Sequence, residues 1–236
     1  MVNTHCVKCA VKEFKDIIEP DHRYSSFDYC YNYFYNKRGT ELTNDIEKSC
    51  LVLGFYLASW GMFRGSSFLL QKSAKYFQKT IEYIATLDEK IWLIDVPDYI
   101  DDINIITEIY TNLKSTLIPK GKKDLTLITK VMLGVFGFVP AFDKYFTDAF
   151  REIYKKEGCG FSSFNAKSLG HIYSFYKANR DEIDNIADNT YTFDFLTNEK
   201  TQIHYPKAKI IDMYGFTVGL KMVEDRKENI KYLTII

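Results

Sequence analysis

Four groups of residues in this chain combine types and spacings that could do chemistry. The first is Arg64, Gly65, Ser66 and Ser67, a guanidinium and a glycine just ahead of two hydroxyls that can open a helix. Free amides at a helix start, hydroxyls and a guanidinium together suit a phosphate or a carboxylate. The same residues also suit an ordinary helix cap beside a solvated arginine. Trp60, four residues earlier, falls near the same turn. The second is Asp143, close behind Pro140, where a carboxylate in a first helical turn is stabilised by the helix dipole whether or not it takes part in a reaction. The third is Lys209 with Asp212 and Tyr214. Lys209 and Asp212 share a helix face and read as a surface ion pair worth about 0.3–0.5 kcal/mol. Asp212 also stands among Ile210, Ile211 and Met213, and if turned inward it needs a partner such as Arg64 or must be protonated. The fourth is Cys6 with Cys9, the gap of a zinc knuckle, with His5, His22 and Cys30 in range but no second closely spaced pair.

Other chemistries find little purchase. The histidines at 5, 22, 171 and 204 lack metalloprotease spacing, and no serine sits in a nucleophile elbow or phosphate loop. His171 follows Gly170 on an apolar stretch and reads as a core residue. No metal and no cofactor is expected. Lys plus Arg and Asp plus Glu are 31 each, so any pull toward nucleic acid or an anionic membrane must come from a local patch. The clearest such patch is Lys120, Lys122 and Lys123 in the loop that follows Pro119. The N-terminal segment MVNTHCVKCAVKEFKD has no secretory core, no later segment is long enough to span a bilayer, and the five cysteines form no disulfide framework. A cytoplasmic protein with reduced thiols and no membrane partner is expected.

The elements that must position these groups read as helices. The fractions, 46% hydrophobic and 16% aromatic, predict a core of large rings. The run Cys50–Phe63 carries no charge, exceeds a normal strand and falls short of the roughly 20 residues that a bilayer needs, so residues 50–62 are expected to be a buried central helix. An amphipathic helix from Val7 stops at Pro20, and Phe27–Asn36 is read as helix. A second long helix is expected from Ser66 through Ile84, another through Ile103–Leu113, and a further one over Leu125–Phe136 broken by Gly137. Pro140 at a first helical position predicts a helix over Ala141–Lys156, closed by Gly158. Helices through Leu169–Tyr176 and Asp181–Ala187 follow, and Pro206 opens a last one. The polar stretch 189–205 is expected to be a loop or lid with a small hairpin around Asn198. The expected class is all-α, one domain over residues 1–236 with about nine or ten helices.

Residues 129–158, TKVMLGVFGFVPAFDKYFTDAFREIYKKEG, carry a resemblance. The order of an apolar helix, Phe136-Gly137, Pro140, Asp143, a helix with Arg151 and a closing Gly158 resembles the second half of the helix-hairpin-helix DNA glycosylase domain. That resemblance implies a nucleic-acid partner, phosphate contacts from Lys120, Lys122 and Lys123, and a catalytic role for Asp143 in cleaving the bond between base and sugar. The sequence departs from the family at KGKKD, which lacks its glycine pattern, and at Thr126, near where some members carry a catalytic lysine. The segments YLASWGMFRGSSFLL, GVFGFVPAFDKYF and KIIDMYGF also resemble an uncharacterised family of bacterial proteins, which implies a bacterial or phage origin and carries no residue role. Two functional expectations follow: a nucleic-acid-acting protein, or a noncatalytic helical module with an anion or partner-carboxylate site at the Arg64–Ser67 turn.

Overall fold

The computed structural model describes residues 6–233, with side chains described as far as Arg226. Among them are α1 (Val7–Asp16), α2 (Ser26–Asn36), α3 (Thr40–Asn44), α4 (Ile46–Ser59), α5 (Gln78–Ala85), α6 (Ile103–Leu117), α7 (Leu125–Phe136), α8 (Lys144–Ile153), α9 (Ala166–Ala178) and α10 (Arg180–Asp188). A two-stranded antiparallel hairpin, β1 (Tyr191–Phe193) and β2 (Lys200–His204), precedes the long α11 (Lys207–Leu233). Six 3₁₀ turns link these elements. The all-α class expected from the sequence holds, with the hairpin around Asn198 as its one small sheet.

The central helix is not the one the uncharged run suggested. Only one side of α4 is inside: Leu53, Tyr56 and Leu57 are buried, whereas Leu51 and Phe55 are 52% and 72% exposed. Lack of charge was the wrong signal, because a surface helix can also expose apolar residues. The interior position belongs to α7, which is buried on every side from Leu127 on, its one charged residue, Lys130, included. Every residue from Leu127 to Phe142 is buried. Helices α2, α4 and α6 pack around α7, while α8, α1 and α10 pack on α11.

The link between these two halves is the non-helical segment 138–143. Buried backbone outside a helix or sheet must find hydrogen-bond partners elsewhere, and here side chains supply them. Tyr99 Oη donates to the Phe138 carbonyl at 2.6 Å and Thr126 Oγ1 to the Phe142 carbonyl at 3.0 Å. Thr129 Oγ1 accepts from the Phe142 amide at 2.9 Å, and Asp212 Oδ1 from the Ala141 amide at 3.0 Å. Gly137 makes the entry, in the left-handed region at φ 78°, with Pro206 and Tyr31 so close that an added Cβ would lie 2.5 and 2.7 Å from their side chains.

Three expected boundaries shift. The helix expected from Ser66 to Ile84 is broken into two 3₁₀ turns, Phe68–Gln71 and Ala74–Phe77, before α5, because Lys72 and Ser73 are extended. The helix expected to open at Ala141 starts at Lys144, because Asp143 is itself the cap: its Oδ1 accepts from the Tyr145 and Phe146 amides at 3.0 and 3.1 Å. The last helix starts at Lys207 and has a cap from far along the chain. Asp95 accepts from the Lys207 and Ala208 amides at 2.7 and 3.0 Å. Burial pushes the Asp95 carboxyl up to about 6, against the pull of those amides.

The aromatic core expected from composition runs through the molecule, with one run of stacked rings at α8. Phe142, Phe146 and Phe150 follow one another with ring centroids 5.4 and 4.3 Å apart. Helix α11 approaches α8 so closely that a Cβ on Gly219 would lie 1.9 Å from the Tyr145 carbonyl oxygen, and one on Gly215 would lie 2.5 Å from Phe146.

Candidate functional site

The charged residues singled out by sequence divide into an interior cluster and an open cleft. In the interior, α11 presents Lys209 and Asp212 one turn apart. They are 2.9 Å apart, with side chains 1% and 6% exposed, so this is a buried pair and not the surface pair that spacing alone suggested. Asp212 does turn inward. Its partners are Lys209 and the Ala141 amide, and Arg64 has no part in it. The Lys209 ammonium also lies over the rings of Phe14, Phe27 and Trp60, at 5.2, 4.7 and 4.8 Å from their centroids. A second buried cation, Lys130 on α7, sits 4.7 Å from the Trp60 ring centroid and 3.1 Å from Asp143 Oδ2. Trp60 thus serves two ammonium groups at once. It ends α4 and stacks on Tyr24 at 4.9 Å, inside the molecule.

The charges of this cluster neutralise one another, although the Trp60 indole N–H has no hydrogen-bond partner among the described residues. Asp143 accepts two cap amides and the Lys130 ammonium, three of the roughly four bonds a carboxylate can accept, and so holds the start of α8. Tyr214, two residues beyond Asp212, belongs elsewhere: its ring packs on Phe175 at 4.9 Å, and burial pushes its hydroxyl above the ordinary value. Nearby, Asp28 on α2 anchors the 189–205 stretch. It accepts from Tyr205 Oη at 2.5 Å and from the Phe193 amide at 2.9 Å, and burial raises it to about 6. Lys130, Asp28 and Asp95 went unnoticed in the sequence. A lone lysine in an otherwise uncharged helix was the available signal, since a buried ammonium must have a partner.

The cleft is different. The Arg64 turn and the lysine loop, far apart in sequence, face one cavity of about 810 Å³. Arg64, Ser66 and Ser67 line it on one side, Gly121, Lys122 and Lys123 on another, with Ser162, Met62 and Phe68 completing the wall. Its floor is the first turn of α7, Leu125–Leu127. The capping residue of α7, Asp124, makes no side-chain hydrogen bond to that turn, because its carboxylate is turned to Lys114 at 2.6 Å. Three helix-start amides at the positive end of the helix macrodipole are therefore left uncapped beside three cations. Among the described residues, no carboxylate lies within salt-bridge distance of Arg64, Lys122 or Lys123. The glycines suit the turns, with Gly61, Gly65 and Gly121 at φ 74°, 60° and 80°. The Arg64 guanidinium folds over Gly61, where a Cβ would stand 3.0 Å from Nε. Lys120 is exposed on the same loop, and neither it nor Gly65 lines the cavity; Asp143 does not line it either.

The remaining candidates are placed as follows. Cys6 and Cys9 are exposed at the start of α1, while Cys30 is buried on α2. His22 accepts from the Tyr24 amide, and His5 lies outside the described residues. Among the described residues no group of three or more His, Cys, Asp or Glu side chains is placed to hold a metal ion. His171 is half-buried, with Nδ1 3.2 Å from Glu157 and its ring against Tyr154 at 4.3 Å. No described helix is long and apolar enough to cross a membrane. Compared with known proteins, the chain matches no family model, no curated protein and no solved structure.

Proposed function

We propose that this protein is a noncatalytic helical module that binds a phosphate-bearing ligand in the cleft between the Arg64 turn and the start of α7. The observation that carries this reading is the convergence of Arg64, Lys122 and Lys123 on the uncapped first turn of α7 in one cavity, where the one lining carboxylate, Asp124, is paired with Lys114 and not with these three cations. A guanidinium, two ammonium groups and free helix-start amides are the donors that recognise phosphate oxygens. The position of Asp143 favours binding over base release, because that carboxylate is held by Lys130 and two cap amides and stands outside the cleft lining.

A nucleic-acid strand is the fuller form of the same reading. Lys120 extends the cationic edge beside Lys122 and Lys123, and Phe68 in the wall offers a ring on which a base can stack. Calorimetric titration with pyrophosphate, alongside gel shifts with single- and double-stranded DNA and RNA at low and high salt, tests both levels. Expected are binding of pyrophosphate that is lost in the R64A/K122A/K123A variant, binding of a strand that weakens as salt rises, and no base release. Absence of pyrophosphate binding at low salt overturns the phosphate reading. Pyrophosphate binding without any strand binding overturns only the nucleic-acid form.

A further inference from the structure

The only exposed cysteines among the described residues stand side by side. Cys6 is the capping residue of the ten-residue α1 and Cys9 lies in its first turn, with the sulfurs 2.8 Å apart. The Cys9 amide donates to Cys6 Sγ at 3.2 Å, so a helix-start N–H stabilises charge on that sulfur. Their platform is rigid. Val7, Ala10, Val11 and Phe14 bury the opposite face of α1 against the core, and the Lys8 amide donates to Glu182 on α10 at 2.8 Å. Cys30, Cys50 and Cys159 are buried and take no part.

We propose that Cys6 and Cys9 are a redox-active dithiol that exchanges with disulfide substrates, independently of the phosphate cleft. Three features support it: a Cys-x-x-Cys pair at a helix start, both thiols open to solvent, and sulfurs 2.8 Å apart, less than 1 Å beyond the roughly 2.05 Å of a disulfide bond. In the first step the Cys6 thiolate attacks a disulfide R–S–S–R, the S–S bond breaks, and one RS⁻ leaves as Cys6–S–S–R forms. In the second, the Cys9 thiolate attacks Cys6 Sγ and expels the other RS⁻. The two cysteine protons end on the two released thiolates, so the pair loses two electrons and the substrate becomes two thiols. Cys6 is the sulfur that holds the helix-start hydrogen bond, which assigns it the first attack. The Cys9 thiol against it, and to a smaller degree Glu182, keep Cys6 above its ordinary thiol value, so exchange draws on a minority thiolate and is measured over minutes to hours.

Oxidised glutathione serves as the probe on the full chain. The intact mass of the wild type is expected to fall by about 2 Da, the two hydrogens lost in disulfide formation. Trypsin cuts after Lys8, between the two cysteines, so the product is a pair of peptides joined through Cys6 and Cys9 that dithiothreitol separates. Cys9→Ser is expected to retain one glutathione on Cys6. If that variant does not fold, alkylation of the wild type before and after oxidation gives the same information, with only Cys6 and Cys9 becoming protected. Cys6 and Cys9 still fully alkylatable after oxidation, a stable glutathione adduct on the wild type, or a disulfide to another cysteine or another chain overturns the proposal.

Discussion

The interior around Trp60 and the cleft beside Arg64 use the same kinds of side chain to opposite ends. In the interior, Lys130 and Lys209 each meet an aspartate at about hydrogen-bond distance, 3.1 and 2.9 Å, and share one indole face system. In the cleft, Arg64, Lys122 and Lys123 face open space and a bare helix start. The difference teaches that a charged residue near a helix terminus is structural when the protein itself supplies the opposite charge, and is available to a ligand when it does not. Asp143 and Asp124 make the contrast within one pair of helices. Asp143 caps α8 and pairs with Lys130, whereas Asp124 turns away from α7 to Lys114 and leaves that helix start open.

Removing one interior partner is the most severe way to break this comparison. Lys209→Ala strands the Asp212 carboxylate and is expected to cost about 3–5 kcal/mol in chemical denaturation. Replacing both together, as K209M/D212L, is expected to cost clearly less than the single change, apart from the lost bond to the Ala141 amide. A double variant as damaged as the single one would mean that the pair's value lies in something other than mutual neutralisation. Gly219→Ala, which drives a methyl into the Tyr145 carbonyl, is expected to cost about 1–3 kcal/mol, and α8 must shift to admit it.

Acidity sharpens the comparison from another side. Asp28 has its folded value raised by burial from the usual 3.8 to about 6. The folded state therefore holds this proton more tightly than the unfolded chain. The associated stability is fully present below about pH 4, declines as pH rises between about 4 and 6, and is gone above, a change of roughly 3 kcal/mol at most. Asp95, raised to the same value, contributes over the same window, so Asp28→Asn is expected to make the decline shallower without abolishing it when denaturation midpoints are compared from pH 4 to 7. An unchanged pH profile would show that Asp28 is no more protonated in the folded protein than in the unfolded chain.

The smallest stability effect belongs to the cleft. The R64A/K122A/K123A variant is expected to lie within about 0.5 kcal/mol of the wild type, since exposed charges without partners hold nothing in place. A large loss of stability would place these cations among the structural residues.

Much of the architecture was legible because helical periodicity and glycine or proline punctuation agree along the chain. The α7 boundaries, the left-handed Gly137 and the hairpin around Asn198 all follow from local chemistry. What local chemistry could not rank was burial. The uncharged part of α4 from Cys50 on and an α7 with one lysine look alike in sequence, yet only the second is surrounded on every side, and its Lys130 is neutralised by Asp143 thirteen residues away, around the buried 138–143 segment. The Arg64 turn and the lysine loop were each visible as anion-binding material. Their meeting in one cleft depends on how α4 packs against α7, which no residue spacing encodes.

The division between a charge-neutralised interior and an open cleft is tested most directly by amide chemical-shift mapping of the ¹⁵N-labelled protein during titration with pyrophosphate at low salt. Shifts are expected at residues 61–69, 121–127 and 162, with Ala141–Asp143 and Lys209–Asp212 unmoved. Saturating shifts centred on 140–143 and 209–212, or no shifts anywhere, would contradict the account.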